Sequence, residues 1–326
     1  MATYKVTKGT PVAFRDEAYP TAYPSGNEGE LFYNAGSGTF QFLGVGAGTW
    51  AAGGNMNSAK VGLSGTGTNT AAVAFGGYGD DGVNETELYN GTAWTEVNNL
   101  NTARYGMSSL GTTNTAALSV SGNGPQDTVE NWDGTNWTEI AEVNTGRYDA
   151  TGFGTSTAGI FVAGAPYSNA VETWNGTAWS EIAEVNTGRT GLNSSGGSTT
   201  NGMVFNGRTS STAVTAVTEV WNGTSWTEVN DTNQARRNGG GSGISSADAL
   251  AFGGTDVGAS TIYANTEIWD GTSWTETNNL ATARQDVGSN GSSSQNALMY
   301  GGYSAPVVAA TEEWNFAHPL KTIDVS

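Results

Sequence analysis

Three observations in the 326-residue sequence predict an all-β fold built from repeated small sheets. A unit of about 45 residues recurs six times along the chain. Asn-Gly or Asp-Gly pairs flanked by β-formers recur inside it. A basic residue returns ten positions after a tryptophan: Lys60 after Trp50, then Arg104, Arg147, Arg189, Arg236 and Arg284.

Each element of the unit follows from its residues. The segment Glu172-Thr173-Trp174-Asn175-Gly176-Thr177-Ala178-Trp179 recurs from Glu87, Glu130, Glu219 and Glu267, always as acid, any residue, aromatic, Asn or Asp, Gly, Thr, any residue, Trp. An Asn-Gly pair between β-formers is a strong hairpin signal, because a two-residue type I′ turn needs positive φ at both central positions. With Asn175-Gly176 as that turn, Trp174 is expected opposite Thr177 and Glu172 opposite Trp179. Alternation then puts Glu172, Trp174 and Trp179 on one face. A lone hairpin cannot bury two indoles, so a neighbouring unit must cover them. Upstream, runs such as Ala71-Ala72-Val73-Ala74-Phe75-Gly76-Gly77 and Ala249-Leu250-Ala251-Phe252-Gly253-Gly254 read as buried strands.

Four strands result: a after the basic residue, b in the small apolar run, c carrying Glu-x-aromatic, and d carrying Gly-Thr-x-Trp. Four-stranded units at this period are propeller blades. The sixth copy holds Thr311-Glu312-Glu313-Trp314 but no strand d after it, while Gly48-Thr49-Trp50 is a strand d with no complete blade before it. That N-terminal strand is expected to close the ring, since closure requires every strand to be paired. The expected organisation is a six-bladed β-propeller over 46–316, an N-terminal appendage over 1–45 and a tail over 317–326. Seven blades are the runner-up, using the hairpin-like Glu30-Leu31-Phe32-Tyr33-Asn34 and Thr39-Phe40-Gln41-Phe42, which lack strands a and b.

Composition removes whole classes of chemistry. With no cysteine there is no disulfide, thiolate metal site or cysteine nucleophile, and the lone His318 cannot build a multi-histidine metal centre. A net charge of −18 disfavours nucleic acid and anionic membranes, both of which rely on Lys and Arg. No apolar run approaches the ~18 residues of a membrane span. The start, Met1-Ala2-Thr3-Tyr4-Lys5-Val6-Thr7-Lys8, lacks the apolar core of a secretory signal. No cofactor, metal or catalytic residue is expected. Asp80-Asp81 fall short of a calcium-loop motif.

Spacing separates the two faces of the ring. The c-aromatic to d-Trp and d-Trp to basic distances never change, whereas the b–c connection varies in length. Strands alternate in direction, so the b–c and d–a links share one face, which is individual, and the a–b and c–d turns share the uniform one. Recognition usually resides in such loops. The expected binding residues are Tyr78, Asp80, Asp81, Asn123, Gln126, Tyr167, Arg208, Asp256, Tyr263 and Tyr303, a set suited to sugars or polar protein surfaces. The basic positions could instead form a cationic ring. A Glu recurs in register with them, however, at Glu87, Glu130, Glu172, Glu219, Glu267 and Glu312. Buried ion pairs with Arg104, Arg147, Arg189, Arg236 and Arg284 are therefore expected, tying strand c to strand a.

The basic residue, the apolar run ending in Gly-Gly, the aromatic and the later Trp resemble the kelch repeat family over roughly 47–316. The doublet departs from that pattern at Ser121-Gly122, Ala163-Gly164 and Asn206-Gly207. Copper oxidase chemistry known on this architecture needs two His ligands and a Tyr–Cys crosslink, which this chain cannot assemble. The polar Gly/Ser/Thr/Asn composition and Gly29-Glu30-Leu31-Phe32-Tyr33-Asn34 resemble virion proteins of tailed bacteriophages. That resemblance implies a fibre, tail or capsid-surface protein, attached to other virion proteins through 1–45 and turning its b–c face to a host glycan or surface protein. A non-viral kelch scaffold, cytoplasmic for want of a signal, and a propeller glycoside hydrolase are the alternatives.

Overall fold

The computed structural model describes residues 46–79, 84–123 and 126–317 in full, and the backbone strands 13–15, 31–34, 39–43 and 320–323. Two compact units are present, Thr49–Asn315 on the one hand and Met1–Gly48 with Phe316–Ser326 on the other.

The larger unit is a β-propeller of six four-stranded sheets. Blade 1 consists of Ser64–Gly67, Ala72–Phe75, Thr86–Tyr89 and Trp94–Val97. Blade 2 follows with Ser108–Thr113, Ala116–Val120, Val129–Trp132 and Trp137–Ile140. Thr151–Thr155, Ala158–Val162, Val171–Trp174 and Trp179–Ile182 form blade 3. Asn193–Ser198, Asn201–Phe205, Thr218–Trp221 and Trp226–Val229 form blade 4. Blade 5 holds Gly240–Ser245, Asp248–Phe252, Thr266–Trp269 and Trp274–Glu276. In blade 6, Gly288–Ser293, Asn296–Tyr300 and Thr311–Ala317 are completed by Ala47–Ala52, the N-terminal strand expected to close the ring.

The c–d hairpin differs from the expected one by two residues. Trp174 lies opposite Trp179 and Glu172 opposite Glu181, leaving a four-residue loop, Asn175–Ala178. The cause is the Asn side chain. Asn175 Oδ1 accepts the N–H groups of Thr177 and Ala178, both at 2.9 Å, and only Gly176 takes positive φ. Asp133 and Asp270 cap their loops in the same way. A slip of two leaves every side chain on its expected face. It also brings each indole pair into direct register, with Trp174 and Trp179 centroids 5.2 Å apart.

The indoles bind successive blades together. Phe153, Ile160 and Val162 of blade 3 share a cluster with Val204, Trp221 and Trp226 of blade 4. Because a buried indole N–H needs an acceptor, the strand-d tryptophans reach the neighbouring blade: Trp137 Nε1 donates to Thr86 Oγ1 at 3.0 Å, and Trp274 Nε1 to Thr218 Oγ1 at 3.1 Å. The doublet positions demand the left-handed region. Its first residue has φ near +60° whether it is Gly76, Gly253 and Gly301 or Ser121, Ala163 and Asn206, so the departures keep the conformation.

In the smaller unit, Ala13–Arg15, Leu31–Asn34, Thr39–Leu43 and Leu320–Ile323 form one sheet in that order. The hairpin weighed as part of a seventh blade forms, but its sheet is completed by the strand before it and by one from the segment read as a tail. No helix occurs among the described residues, and none long and apolar enough to cross a membrane.

Candidate binding site

The repeated charges lie inside the blades. Arg104 Nη2 is 2.8 Å from Glu130 Oε1, Arg147 Nη1 3.1 Å from Glu172, Arg189 Nη2 2.7 Å from Glu219, Arg236 Nη2 3.0 Å from Glu267 and Arg284 Nη2 2.6 Å from Glu312. Four of the five guanidinium groups, those of Arg104, Arg147, Arg189 and Arg284, also hold backbone. Arg189 Nη1 donates to the doublet carbonyl of Asn206 and to that of Val217, and Arg104 and Arg284 repeat this arrangement. Burial pulls these guanidinium groups below their ordinary pKa, against the carboxylates that face them. Blade 1 uses a lysine, which cannot fork to several acceptors. Lys60 Nζ therefore meets two carboxylates, Glu87 at 3.1 Å and Glu85 at 2.7 Å.

The second carboxylate oxygen is occupied as well. Asn186 donates its N–H and Nδ2 to Glu219 Oε2 at 2.7 and 2.8 Å, and Asn57, Asn101, Asn144 and Asn233 do the same in their blades. This asparagine stands three residues before the basic residue in five of the six units, a constancy that sequence reasoning could have used and did not. With both oxygens engaged from within the protein, the pairs are fasteners between blades rather than a ring open to ligand.

Two residues beyond each basic position stand Gly62, Gly106, Asp149, Gly191, Asn238 and Asp286. All six have φ between 50° and 65°. Their backbones close a circle around the axis: Gly106 N–H donates to Gly62 O, Asp149 to Gly106, Gly191 to Asp149, Asn238 to Gly191 and Asp286 to Asn238, each at 2.8 Å, and Gly62 to Asp286 at 2.9 Å. Only residues that tolerate the left-handed region fit there, which is why the letters are Gly, Asn and Asp. Those letters looked unrelated in sequence because their common property is conformational.

This annulus frames a mouth on the b–c face, with a cavity of about 90 Å³ floored by Leu63, Met107, Ala150, Leu192 and Val287. Beyond lies a channel of about 240 Å³ lined by strand a of every blade. Its hydroxyls mostly staple neighbouring strands, as Ser109 Oγ to Gly65 O and Ser194 Oγ to Gly152 O, both at 2.8 Å.

The mouth is electrostatically asymmetric. Asp149 and Asp286 come from blades 3 and 6, opposite places in the circle. Burial, reinforced by the charge of Asp286, pushes the Asp149 carboxyl up to about 6, while Arg237 and Arg208 act in the opposite direction. Burial also raises Asp286, against a hydrogen bond from Asn238 and the charge of Arg237.

Of the loop residues expected to bind, Tyr78 is 60% exposed and packs obliquely on Tyr105, centroids 5.8 Å apart. Tyr167 OH accepts from Arg208 Nη2 at 2.8 Å. Tyr303 exchanges backbone bonds with Gln285. The others are held within their own surroundings: Asn123 N–H on Tyr105 O, Gln126 N–H on Gly122 O, Tyr263 N–H on Gly254 O, and Asp256 in a turn closed by Ser260. Asp80, Asp81 and the singled-out His318 lie outside the described residues. The structure adds Tyr105, Asp149, Arg237, Asn238 and Asp286, which adjoin the fixed-length d–a links and so escaped a search guided by loop-length variation.

A closed ring of six antiparallel blades with a polar axial mouth defines a six-bladed β-propeller. No family model matches the sequence, and no curated protein matches it. Among solved structures, that of YjhT is similar in fold, aligning over 79% of this chain and 95% of its own with a TM-score of 0.65 at 13% identity. At that identity the likeness carries the fold alone.

Proposed function

We propose that this propeller is a non-enzymatic binding module of a tailed-phage virion, in a fibre, tail or capsid-surface position, and that its b–c face recognises a host glycan or surface protein. The observation that carries the recognition half is the concentration of exposed tyrosines on that face: Tyr78, Tyr105 and Tyr303 are three of the four large exposed hydrophobic side chains among the described residues. Tyrosine supplies contact area at low entropic cost and keeps a polar tip for hydrogen bonding. The virion half rests on the resemblance in composition and in the Gly29–Asn34 motif, with the N-terminal segment attaching the propeller to other virion proteins. The kelch-like motif supports the reading as a module of interaction.

Labelled protein is expected to bind host bacterial cells. Exchange of the b–c loop residues Tyr78 and Tyr303 for Ser should reduce that binding, and exchange of Ile244 on the opposite face should not. Absence of binding to any cell or virion component removes the proposal. Sugar release from a glycan, lost in Asp149→Gly, replaces it with the glycosidase reading, which needs a carboxylate pair.

A further inference from the structure

Within the glycan reading just proposed, on which this step rests, we propose that the axial mouth is the saccharide subsite and that it takes a neutral sugar, with Tyr78 and Tyr105 under its apolar face and Asp149, Asn238 and Asp286 receiving its hydroxyls.

Three independent features converge on the mouth. The first is the aromatic platform at one side. Tyr105 directly precedes Gly106 of the annulus, and its Cβ and Cδ2 lie 3.7 Å from where a Cβ on Gly62 would stand, so the ring overlies the annulus at its side-chain-free positions. Tyr78, 60% exposed, extends the platform outward.

The second is the polar rim. Asp149 Oδ1 lies 2.8 Å from where a Cβ on Gly106 would stand, which brings a carboxylate against the backbone that carries Tyr105. Asn238 and Asp286 continue the rim of the cavity, and Arg237, next to Asn238 in the chain, has its Nε buried and unpartnered. Asp149 lines the cavity, and among the described residues no hydrogen bond engages its carboxylate, which leaves its oxygens to accept from a ligand. A surface apolar on one side and rich in acceptors and donors on the other matches a pyranose, which has an apolar face and a hydroxyl rim.

The third is size. The cavity of about 90 Å³ holds roughly three waters at about 30 Å³ each. It takes an exocyclic hydroxymethyl or a pair of hydroxyls, while the ring rests on the tyrosines outside. Two carboxylates at the rim repel an acidic sugar, which sets the preference for a neutral one.

The test is an immobilised array of neutral glucose, galactose, mannose and N-acetylglucosamine oligosaccharides with glucuronate-terminated counterparts, read with the full chain and three variants. Asp149→Gly/Asp286→Gly removes both carboxylates and installs the residue that three blades already use there. Tyr105→Ala removes the platform without touching the annulus backbone, so it carries the test if the double variant does not fold. Ile244→Ala, on the a–b turn face, is the control. The expected result is neutral-glycan binding weakened at least about tenfold in the first two and unchanged in the third. Neutral-glycan binding unaffected by both mouth variants overturns the subsite and leaves the glycan reading standing. Preference for the glucuronate-terminated set overturns the neutral specificity. No saccharide bound by the wild-type chain overturns the glycan reading and the subsite together.

Discussion

Arg189 Nη2 lies 2.7 Å from Glu219 Oε1, and neither side chain reaches solvent. Glu219 Oε2 simultaneously accepts both donors of Asn186, from the link that leaves blade 3. One buried carboxylate thus joins the connection between two blades to strand c of the second. Charges taken out of water need to be paired and hydrogen-bonded, and the repeat gives both oxygens of the carboxylate an internal partner in blade after blade.

Removing one member should therefore cost more than removing both. Arg189→Met leaves Glu219 buried without its cation and is expected to destabilise by about 3–5 kcal/mol, whereas Arg189→Met/Glu219→Leu should cost distinctly less. Urea denaturation of the two single variants and the double variant measures the difference. A loss in the double variant equal to the sum of the two single losses would show that the pair carries no mutual interaction.

Blade 6 lacks the asparagine. Glu312 Oε2 accepts the N–H of Ala281 at 2.7 Å, where the other blades supply a side-chain amide as well. Ala281→Asn should add that bond at an exposed position and stabilise by about 1 kcal/mol, or about 2–4 °C in melting temperature. Differential scanning calorimetry checks it, and the same change at a site outside the repeat gives the baseline.

Much of this was legible because the chain compares itself with itself. The Arg–Glu register and the closing strand at Trp50 follow from spacing, since each copy repeats the same requirement. The hairpin register does not: an Asn-Gly pair signals its own backbone conformation, whereas Asn175 acts through a side-chain oxygen that caps the loop. Asp149, Asn238 and Asp286 stayed hidden for the opposite reason. They replace glycine in other copies, so they look like variation, and only the closed circle of hydrogen bonds shows that the position is constant. Loop residues such as Asp256 and Tyr263 were visible as loop residues, but proximity to the axis is a tertiary property that no local spacing encodes.

Asp149 makes the annulus pH-sensitive. Its carboxyl, raised to about 6, is more easily protonated in the fold than in the unfolded chain, where about 3.9 is ordinary. A raised acid contributes stability that is complete below the unfolded value and lost as pH rises through about 6. Asp149→Asn is uncharged throughout and tolerates the left-handed backbone. The variant should gain on the wild type by about 1–3 kcal/mol between pH 4 and pH 7. Paired denaturation curves at those two pH values measure the gain, and a constant difference between the proteins would remove the carboxyl as its source.

One aromatic packs at the closure of the ring, beside the strand pairing that completes blade 6. Trp50 packs against Trp314 at 5.4 Å and Phe252 at 4.9 Å between centroids, and its Nε1 donates to Thr266 Oγ1 at 2.9 Å. Those contacts join the N-terminal strand to blades 5 and 6, the only junction in the ring not made by continuous chain. Trp50→Ala removes the packing and leaves Thr266 without its donor, and it should cost about 3–5 kcal/mol. Trp50→Phe keeps most of the packing and should cost clearly less. Because an opened ring exposes an unpaired strand edge at Thr311–Ala317, the alanine variant should also be cleaved faster there by protease under native conditions. Limited proteolysis with mass-spectrometric mapping of the first cut tests this directly: a first cut within a blade distant from the junction would mean that the strand is not what holds the ring shut.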